Sequence, residues 1–159
     1  MKTLVAYYSR TGNTKFVAEK IAQNLSADLC EVKDKKNREG KLAYLSAGGD
    51  AMREKLTEIE LSKPADGYDC LIIGSPVWAG KIAPAIRKFL ATTDLSAKQV
   101  AFFVTMGGKD AKGALENVKK AIVPKVPIAE LPIGTPLEKQ HETETQVVEW
   151  CIQIRKALS

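Results

Sequence analysis

The chain has 159 residues, of which 45% are hydrophobic and 27% charged, with a formal net charge of +5. This size and composition are those of one ordinary folded domain, and they exclude a disordered or fibrous protein. The longest apolar runs are much shorter than a bilayer-spanning helix, so we expect no membrane partner. Met1 and Lys2 lead into a strand-like run without a cleavage signal, which predicts a single cytoplasmic domain over residues 1–159.

Residue types that often bind metals are few and scattered. Cys30, Cys70 and Cys151 are far apart and form no C-x-x-C, so we expect buried thiols and neither a disulfide framework nor a zinc site. His141 lies in a polar stretch and is expected in solvent, and no metal site is predicted. The densest basic run, residues 33–38, is broken by acids and contains no aromatic that could stack on a base. We therefore expect no nucleic-acid partner.

Apolar segments of strand length alternate along the chain with segments of helical period. The predicted strands are Thr3 to Tyr8, Asp28 to Val32, Cys70 to Ser75, Gln99 to Thr105 and Val126 to Pro132. The third and fourth are continuously apolar, which indicates strands that are covered on both faces, as in a parallel sheet. The sequence therefore predicts an α/β fold.

Apolar stripes predict the helices that connect these strands. Three stripes repeat at three- or four-residue spacing: Val17, Ile21 and Leu25; Ile82, Ile86 and Phe89; and Val147, Cys151, Ile154 and Leu158. Lys112 to Ile122 supplies another helix. Residues 34–66 form a long excursion in which a helix is predicted to break at Gly48-Gly49, because each glycine costs about 1 kcal/mol relative to alanine.

Five strand-helix units predict a three-layer, doubly wound sheet of five parallel strands. Right-handed crossovers place helices on both faces of such a sheet, and five units are too few to close a barrel. Ligands of these sheets bind beyond the carboxyl ends of the strands, at the point where the strand order reverses. The loops after the first, third and fourth strands are therefore the candidate binding loops.

A helix begins directly after the loop that follows the first strand, Ser9-Arg10-Thr11-Gly12-Asn13-Thr14. Its hydroxyls and amide can bind phosphate oxygens, its glycine lets backbone N–H groups converge, and the helix dipole adds positive charge. The loop has neither the spacing of a dinucleotide fingerprint nor the lysine of a P-loop. It favours a monoester phosphate without a metal; the alternative is a polar helix cap that binds nothing.

With the strand before it, this first loop (Val5 to Lys15) resembles the phosphate-binding signature of the flavodoxin family. The second loop, Gly74 to Gly80, is similar to the family's second flavin loop, in which an aromatic residue and a glycine lie beside the isoalloxazine ring. The third loop, Thr105 to Gly113, stands in the place of the family's third flavin loop. The resemblance spans essentially the whole chain and implies a flavodoxin-like sheet with strand order 2-1-3-4-5, in a family that itself exemplifies the binding rule above.

The resemblance also implies FMN as the cofactor. The implied cofactor-binding residues are Ser9, Arg10, Thr11, Gly12, Asn13, Thr14, Pro76, Val77, Trp78, Ala79, Gly80, Thr105, Met106, Gly107, Gly108 and Gly113.

Individual residues of the second and third loops carry physical expectations of their own. Trp78 would be an exposed aromatic unless a flat group such as a flavin covered it, or unless it packed on its own helix. Gly80, or Ala79 before it, is expected to present a backbone carbonyl to flavin N5. Gly107 and Gly108 would let backbone N–H groups approach the ring closely, the alternative being a plain turn.

Two features depart from the family's pattern. The third loop lacks the tyrosine that many flavodoxins stack on the outer flavin face, so that face is expected to be open. The chain is also basic, whereas flavodoxins that carry electrons are typically acidic.

The resemblance implies electron transport between redox protein partners. The alternative within the fold is an oxidoreductase that uses NAD(P)H to reduce FMN or a quinone. A protein that keeps the fold without FMN is a further alternative. A phospho-receiver would need acidic residues where the first strand ends in Tyr7-Tyr8-Ser9-Arg10.

Overall fold

The computed structural model describes residues 1–36, 57–108 and 110–159. The strands are β1 (Thr3–Tyr7), β2 (Asp28–Asp34), β3 (Ile59–Leu61), β4 (Cys70–Trp78), β5 (Lys81–Ile82), β6 (Gln99–Met106) and β7 (Ala129–Gly134). The helices, numbered over the described residues, are α1 (Asn13–Leu25), α2 (Pro84–Thr92), α3 (Lys112–Ala121) and α4 (Gln140–Leu158). The predicted break at Gly48-Gly49 lies outside the described residues.

The strands form one sheet in the order β3-β2-β1-β4-β6-β7, with β5 paired to β4. Strands β2, β1, β4, β6 and β7 are parallel to one another and correspond to the predicted strands, so the order 2-1-3-4-5 is confirmed. The predicted number of five strands is wrong, because β3 and β5 add antiparallel pairs to β2 and β4. With three and two residues, these strands are too short to leave a readable apolar period.

Several element boundaries also differ from the prediction. β4 continues past Ser75 to Trp78, and β7 begins at Ala129, not at Val126. Ile82, predicted in a helical stripe, belongs to β5, since α2 begins only at Pro84, a residue type favoured in the first helical turn. The burial expected of that stripe is nevertheless correct, because Ile82 is fully buried.

Two apolar layers cover the sheet and use alternate side chains of the same strands. Leu71 and Ile73 of β4 belong to one layer, which α2 and α3 complete, whereas Cys70 and Ile72 belong to the layer completed by α1 and α4. Successive side chains of a strand point to opposite faces, so a strand buried on both faces must be apolar throughout. The three-layer architecture predicted from the continuous apolar runs is confirmed.

The residues considered for metal binding outside the loops are the three cysteines and His141. All three cysteines are buried, and burial raises the pKa of Cys70 and of Cys151 to about 11, so both thiols are neutral. His141 is exposed. Residues 1–36, 57–108 and 110–159 contain no group of three or more His, Cys, Asp or Glu that could hold a metal ion. None of the helices described for these residues has the length and apolar character needed to cross a bilayer.

Candidate functional site

The carboxyl ends of β1, β4 and β6 meet at a cleft of about 220 Å³. The sheet's strand order reverses between β1 and β4, where ligands of doubly wound sheets bind. The cleft is lined by Arg10, Thr11, Asn13, Thr14, Pro76, Val77, Trp78, Thr105, Met106, Gly107, Thr135 and Glu138.

The first loop turns into α1 through Gly12, which has a left-handed backbone with φ of 95°. The Gly12 N–H donates to Ser9 Oγ at 3.1 Å, and the Gly12 carbonyl accepts the Phe16 N–H at 2.9 Å. A residue with a Cβ would be strained in this conformation. Ser9 and Gly12 therefore shape the loop, whereas Thr11, Asn13 and Thr14 line the cleft.

Two buried hydroxyls join the first loop to the end of β6. Thr14 Oγ1 and Thr105 Oγ1 are 2.8 Å apart, and the two residues are 1% and 2% exposed. The pair carries two protons, and its mutual hydrogen bond uses one of them. The second proton is available to an acceptor in the cleft, which both residues line.

The second loop is a tight hairpin between β4 and β5. Trp78 pairs with Lys81, and the two residues between them, Ala79 and Gly80, have φ of 49° and 72°. Positive φ at both central positions is the type I′ geometry that closes two-residue hairpins. An alanine in this conformation costs roughly 1 to 2 kcal/mol, so the surrounding packing must stabilise the turn.

Gly113 supplies part of that packing. A Cβ placed on Gly113 would lie 2.5 Å from the Gly80 carbonyl oxygen, a separation that real Cβ atoms essentially never show. The absence of a side chain thus allows α3 to approach the turn. Gly113 lies against the hairpin and is not among the residues that line the cleft.

Trp78 is 6% exposed, so the protein itself covers most of this side chain. The Tyr8 ring packs edge-on against it, with ring centroids 5.4 Å apart and an interplanar angle of 88°. The cause is tertiary, because β1 and β4 are neighbours and place both aromatics at the same sheet edge. Trp78 is nevertheless one of the residues that line the cleft.

Among the described residues that line the cleft, hydrogen-bond donors predominate and the net charge is small. Arg10 and Glu138 are the charged side chains of this described lining. The first turn of α1 contains no acidic residue, so the positive end of the helix dipole is not neutralised there. This end of the cleft suits an anion of low charge that accepts several hydrogen bonds.

Over residues 2–154 the chain matches the family model described as Flavodoxin. It belongs to the flavodoxin family. A flavoprotein from Lactobacillus acidophilus NCFM, solved in complex with FMN, shares 29% sequence identity with this flavodoxin-family chain and superposes with a TM-score of 0.73. That match covers 87% of this chain and 97% of the Lactobacillus protein.

More distant relatives share the fold or part of the sequence. Flavodoxin 2 from Bacillus cereus superposes with a TM-score of 0.62 at 20% identity, over 98% of this chain and 99% of its own, which shows a common fold. The NAD(P)H dehydrogenase (quinone) of Archaeoglobus fulgidus is 29% identical over 97 residues, or 58% of this chain. The match covers 51% of that enzyme, so this flavodoxin-family chain spans about half the length of that curated relative.

The structure brings together most of the residues predicted from the three loops. Those that line the cleft are Arg10, Thr11, Asn13, Thr14, Pro76, Val77, Trp78, Thr105, Met106 and Gly107. Those outside this lining are Ser9, Gly12, Ala79, Gly80, Gly108 and Gly113. Lys109, in the third loop, lies outside the described residues.

Sequence reasoning missed a fourth loop, residues 135–139 between β7 and α4, which adds Thr135 and Glu138 to the cleft. Its Thr135 N–H donates to the Met106 carbonyl at 2.8 Å, which ties it to the third loop. A signal was present, since a fifth parallel strand must end at the same sheet edge as the others. The polar turn after that strand could therefore have been included among the candidate binding loops.

Proposed function

We propose that this flavodoxin-family protein binds FMN in the cleft and transfers electrons between redox partner proteins. The observation that carries the proposal is the convergence of the loops after β1, β4 and β6 on one cleft with two unlike ends. Hydroxyls and a helix N-terminus form one end, and the Trp78 hairpin forms the other. FMN has the matching asymmetry, with an anionic phosphate at one end and a flat ring at the other.

The residues present fit both parts of FMN. The hydroxyls of Thr11 and Thr14 would hold the phosphate at the start of α1, where no acidic side chain opposes it. Trp78 and Met106 line the other part of the cleft and would contact the ring. The Lactobacillus flavoprotein, solved in complex with FMN, supports FMN as the ligand.

Bound FMN would supply the one- and two-electron redox chemistry, and the chain's own residues would orient it and exclude water. Trp78, backed by Tyr8, would exclude water from the ring on the hairpin side. Of the two carbonyls predicted to accept a hydrogen bond from the ring, the Gly80 oxygen packs against Gly113. That packing favours the Ala79 carbonyl as the acceptor.

A second candidate function is the reduction of FMN or a quinone with NAD(P)H in the same cleft. The described part of the third loop, residues 105–108 and 110–113, contains no aromatic that could cover the outer ring face. An uncovered face would be open to hydride transfer from NAD(P)H. The similarity to the NAD(P)H dehydrogenase (quinone) of Archaeoglobus fulgidus also favours this candidate.

An anaerobic titration followed by visible absorbance tests both candidates. The FMN-loaded protein is treated with dithionite in one series and with NADPH in another. For the electron carrier we expect dithionite to bleach the flavin in two one-electron phases and NADPH to have no direct effect. Direct two-electron bleaching by NADPH would favour the reductase. A colourless protein that takes up no added FMN would contradict both proposals.

A further inference from the structure

The side-chain amide of Asn13 lies between two hydrogen-bonding neighbours at the phosphate end of the cleft. The Leu137 N–H donates to Asn13 Oδ1 at 3.2 Å, and Asn13 Nδ2 donates to Thr11 Oγ1 at 3.3 Å. A backbone N–H can be accepted only by the amide oxygen, so the Leu137 bond determines which way the amide faces. The NH₂ group is thereby directed at Thr11.

The orientation of this amide determines what the Thr11 hydroxyl can do. A hydroxyl has one proton to donate and two lone pairs that accept. When Asn13 donates to the Thr11 oxygen, one lone pair is used, and the O–H proton must point to a different acceptor. An arriving N–H also polarises the O–H bond and strengthens it as a donor. Thr11 lines the cleft, so its proton is available to a ligand there.

We propose that Asn13 is a positioning residue for the phosphate of FMN and that it acts through Thr11. The chain of hydrogen bonds from the Leu137 N–H through Asn13 to Thr11 makes the Thr11 hydroxyl a donor toward the anion. This inference rests on the proposed binding of FMN. It deepens that proposal by assigning Asn13 to the orientation of a donor, in place of a direct contact with the phosphate.

The start of the chain of hydrogen bonds is itself held in place. Leu137 is 124 positions from Asn13 along the chain. Its loop is fixed by the bond from the Thr135 N–H to the Met106 carbonyl and by a bond of 3.5 Å from Thr143 Oγ1 to the Pro136 carbonyl. The fourth loop is therefore fixed to the third loop at Met106, and its Leu137 N–H in turn fixes the amide of Asn13 at the phosphate end of the cleft.

A double-mutant cycle separates action through Thr11 from a direct contact. Asn13→Ala is made in the parent, in Thr11→Val, which removes the hydroxyl, and in Thr11→Ser, the matched control that keeps it. FMN and riboflavin affinities are measured by flavin fluorescence, and riboflavin serves as the ligand without a phosphate. Asn13→Asp is carried through the same three backgrounds, because its carboxylate still accepts the Leu137 N–H and its added charge is common to all of them.

We expect Asn13→Ala to weaken FMN binding about tenfold in the parent and in Thr11→Ser, the effect of one good hydrogen bond. In Thr11→Val the loss should be below about twofold, and riboflavin binding should not change. Asn13→Asp should likewise cost less in Thr11→Val than in Thr11→Ser, which keeps the test available if the alanine variant does not fold.

Two contrary results have different meanings. Equal losses in Thr11→Val and Thr11→Ser would overturn the action through Thr11 while leaving FMN binding intact. A parent protein that binds riboflavin as tightly as FMN would overturn the placement of the phosphate, and with it both the proposed function of this loop and the inference drawn from it.

Discussion

The first and second loops reach the same cleft, but different interactions stabilise their conformations. The first loop, residues 9–14, is shaped by hydrogen bonds of its side chains, including Ser9 to the Gly12 N–H and Thr14 to Thr105. The hairpin at Ala79 and Gly80 has a left-handed backbone, which is unfavourable at Ala79, and the close approach of α3 stabilises it.

This difference predicts different responses to substitution. A hydrogen bond in the first loop can be removed with little change in side-chain volume. Its loss should therefore reduce mainly the affinity for the ligand that these groups bind. The hairpin has no space for an added atom where Gly113 meets Gly80, so a small increase in volume should reduce the stability of the fold itself.

The largest effect is expected from removing both threonine hydroxyls of the first loop. Thr11→Val combined with Thr14→Val should weaken FMN binding by about 1 to 3 kcal/mol for each charge-assisted hydrogen bond lost. The dissociation constant is measured by flavin fluorescence, with the exposed Thr145→Val on α4 as the control. Unchanged affinity in the double variant would show that the phosphate binds elsewhere.

Gly113→Ala tests the hairpin side of the comparison. The new methyl group would collide with the Gly80 backbone, so we expect the free energy of unfolding to fall by about 1 to 3 kcal/mol. Urea denaturation of the FMN-free protein measures it. Gly108→Ala is the matched control, because a Cβ at Gly108 meets nothing within 4 Å. Equal stability of the two variants would mean that α3 does not constrain the turn.

The position of the hairpin relative to the flavin is tested by fluorescence. Trp78 lines the cleft, whereas Trp150 is buried on α4, so FMN should quench the emission of Trp78 more strongly. Trp78→Phe leaves Trp150 as the single tryptophan and should show much weaker quenching than the parent. Quenching of the same extent in both proteins would mean that Trp78 does not lie next to the flavin ring.

The smallest effect is expected from charges around the hairpin. Lys81 follows the turn in β5 and, with Lys109 beyond the described residues, would stabilise the anion formed when FMN is fully reduced. Charges about 8 Å apart interact by roughly 2 kcal/mol at an effective dielectric near 20, and salt screens them beyond about that distance. Lys81→Glu with Lys109→Glu should therefore lower the second reduction potential at low salt. A potential that the double substitution leaves unmoved would rule out this tuning.

Local patterns in the sequence were sufficient to predict the five parallel strands of the sheet and the edge at which the loops meet. The continuous apolar runs of β4 and β6 indicate strands covered on both faces, and the stripe through Val147 and Cys151 predicts α4. Parallel strands end at one edge, so the polar loop from Ser9 to Thr14 and the loop around Gly107 had to converge. These features depend on residues close together in sequence, whose periodicity reveals which face is buried.

Contacts between distant residues were decided only by the tertiary structure. Tyr8 covers Trp78, Gly113 allows the Gly80 turn, and Leu137 orients the amide of Asn13. None of these pairs follows from a local period, because each depends on how neighbouring strands and helices are placed after the sheet has formed. The sequence by itself determined which loops could bind a ligand, and the tertiary structure decided which of their residues face it and which hold the others in place.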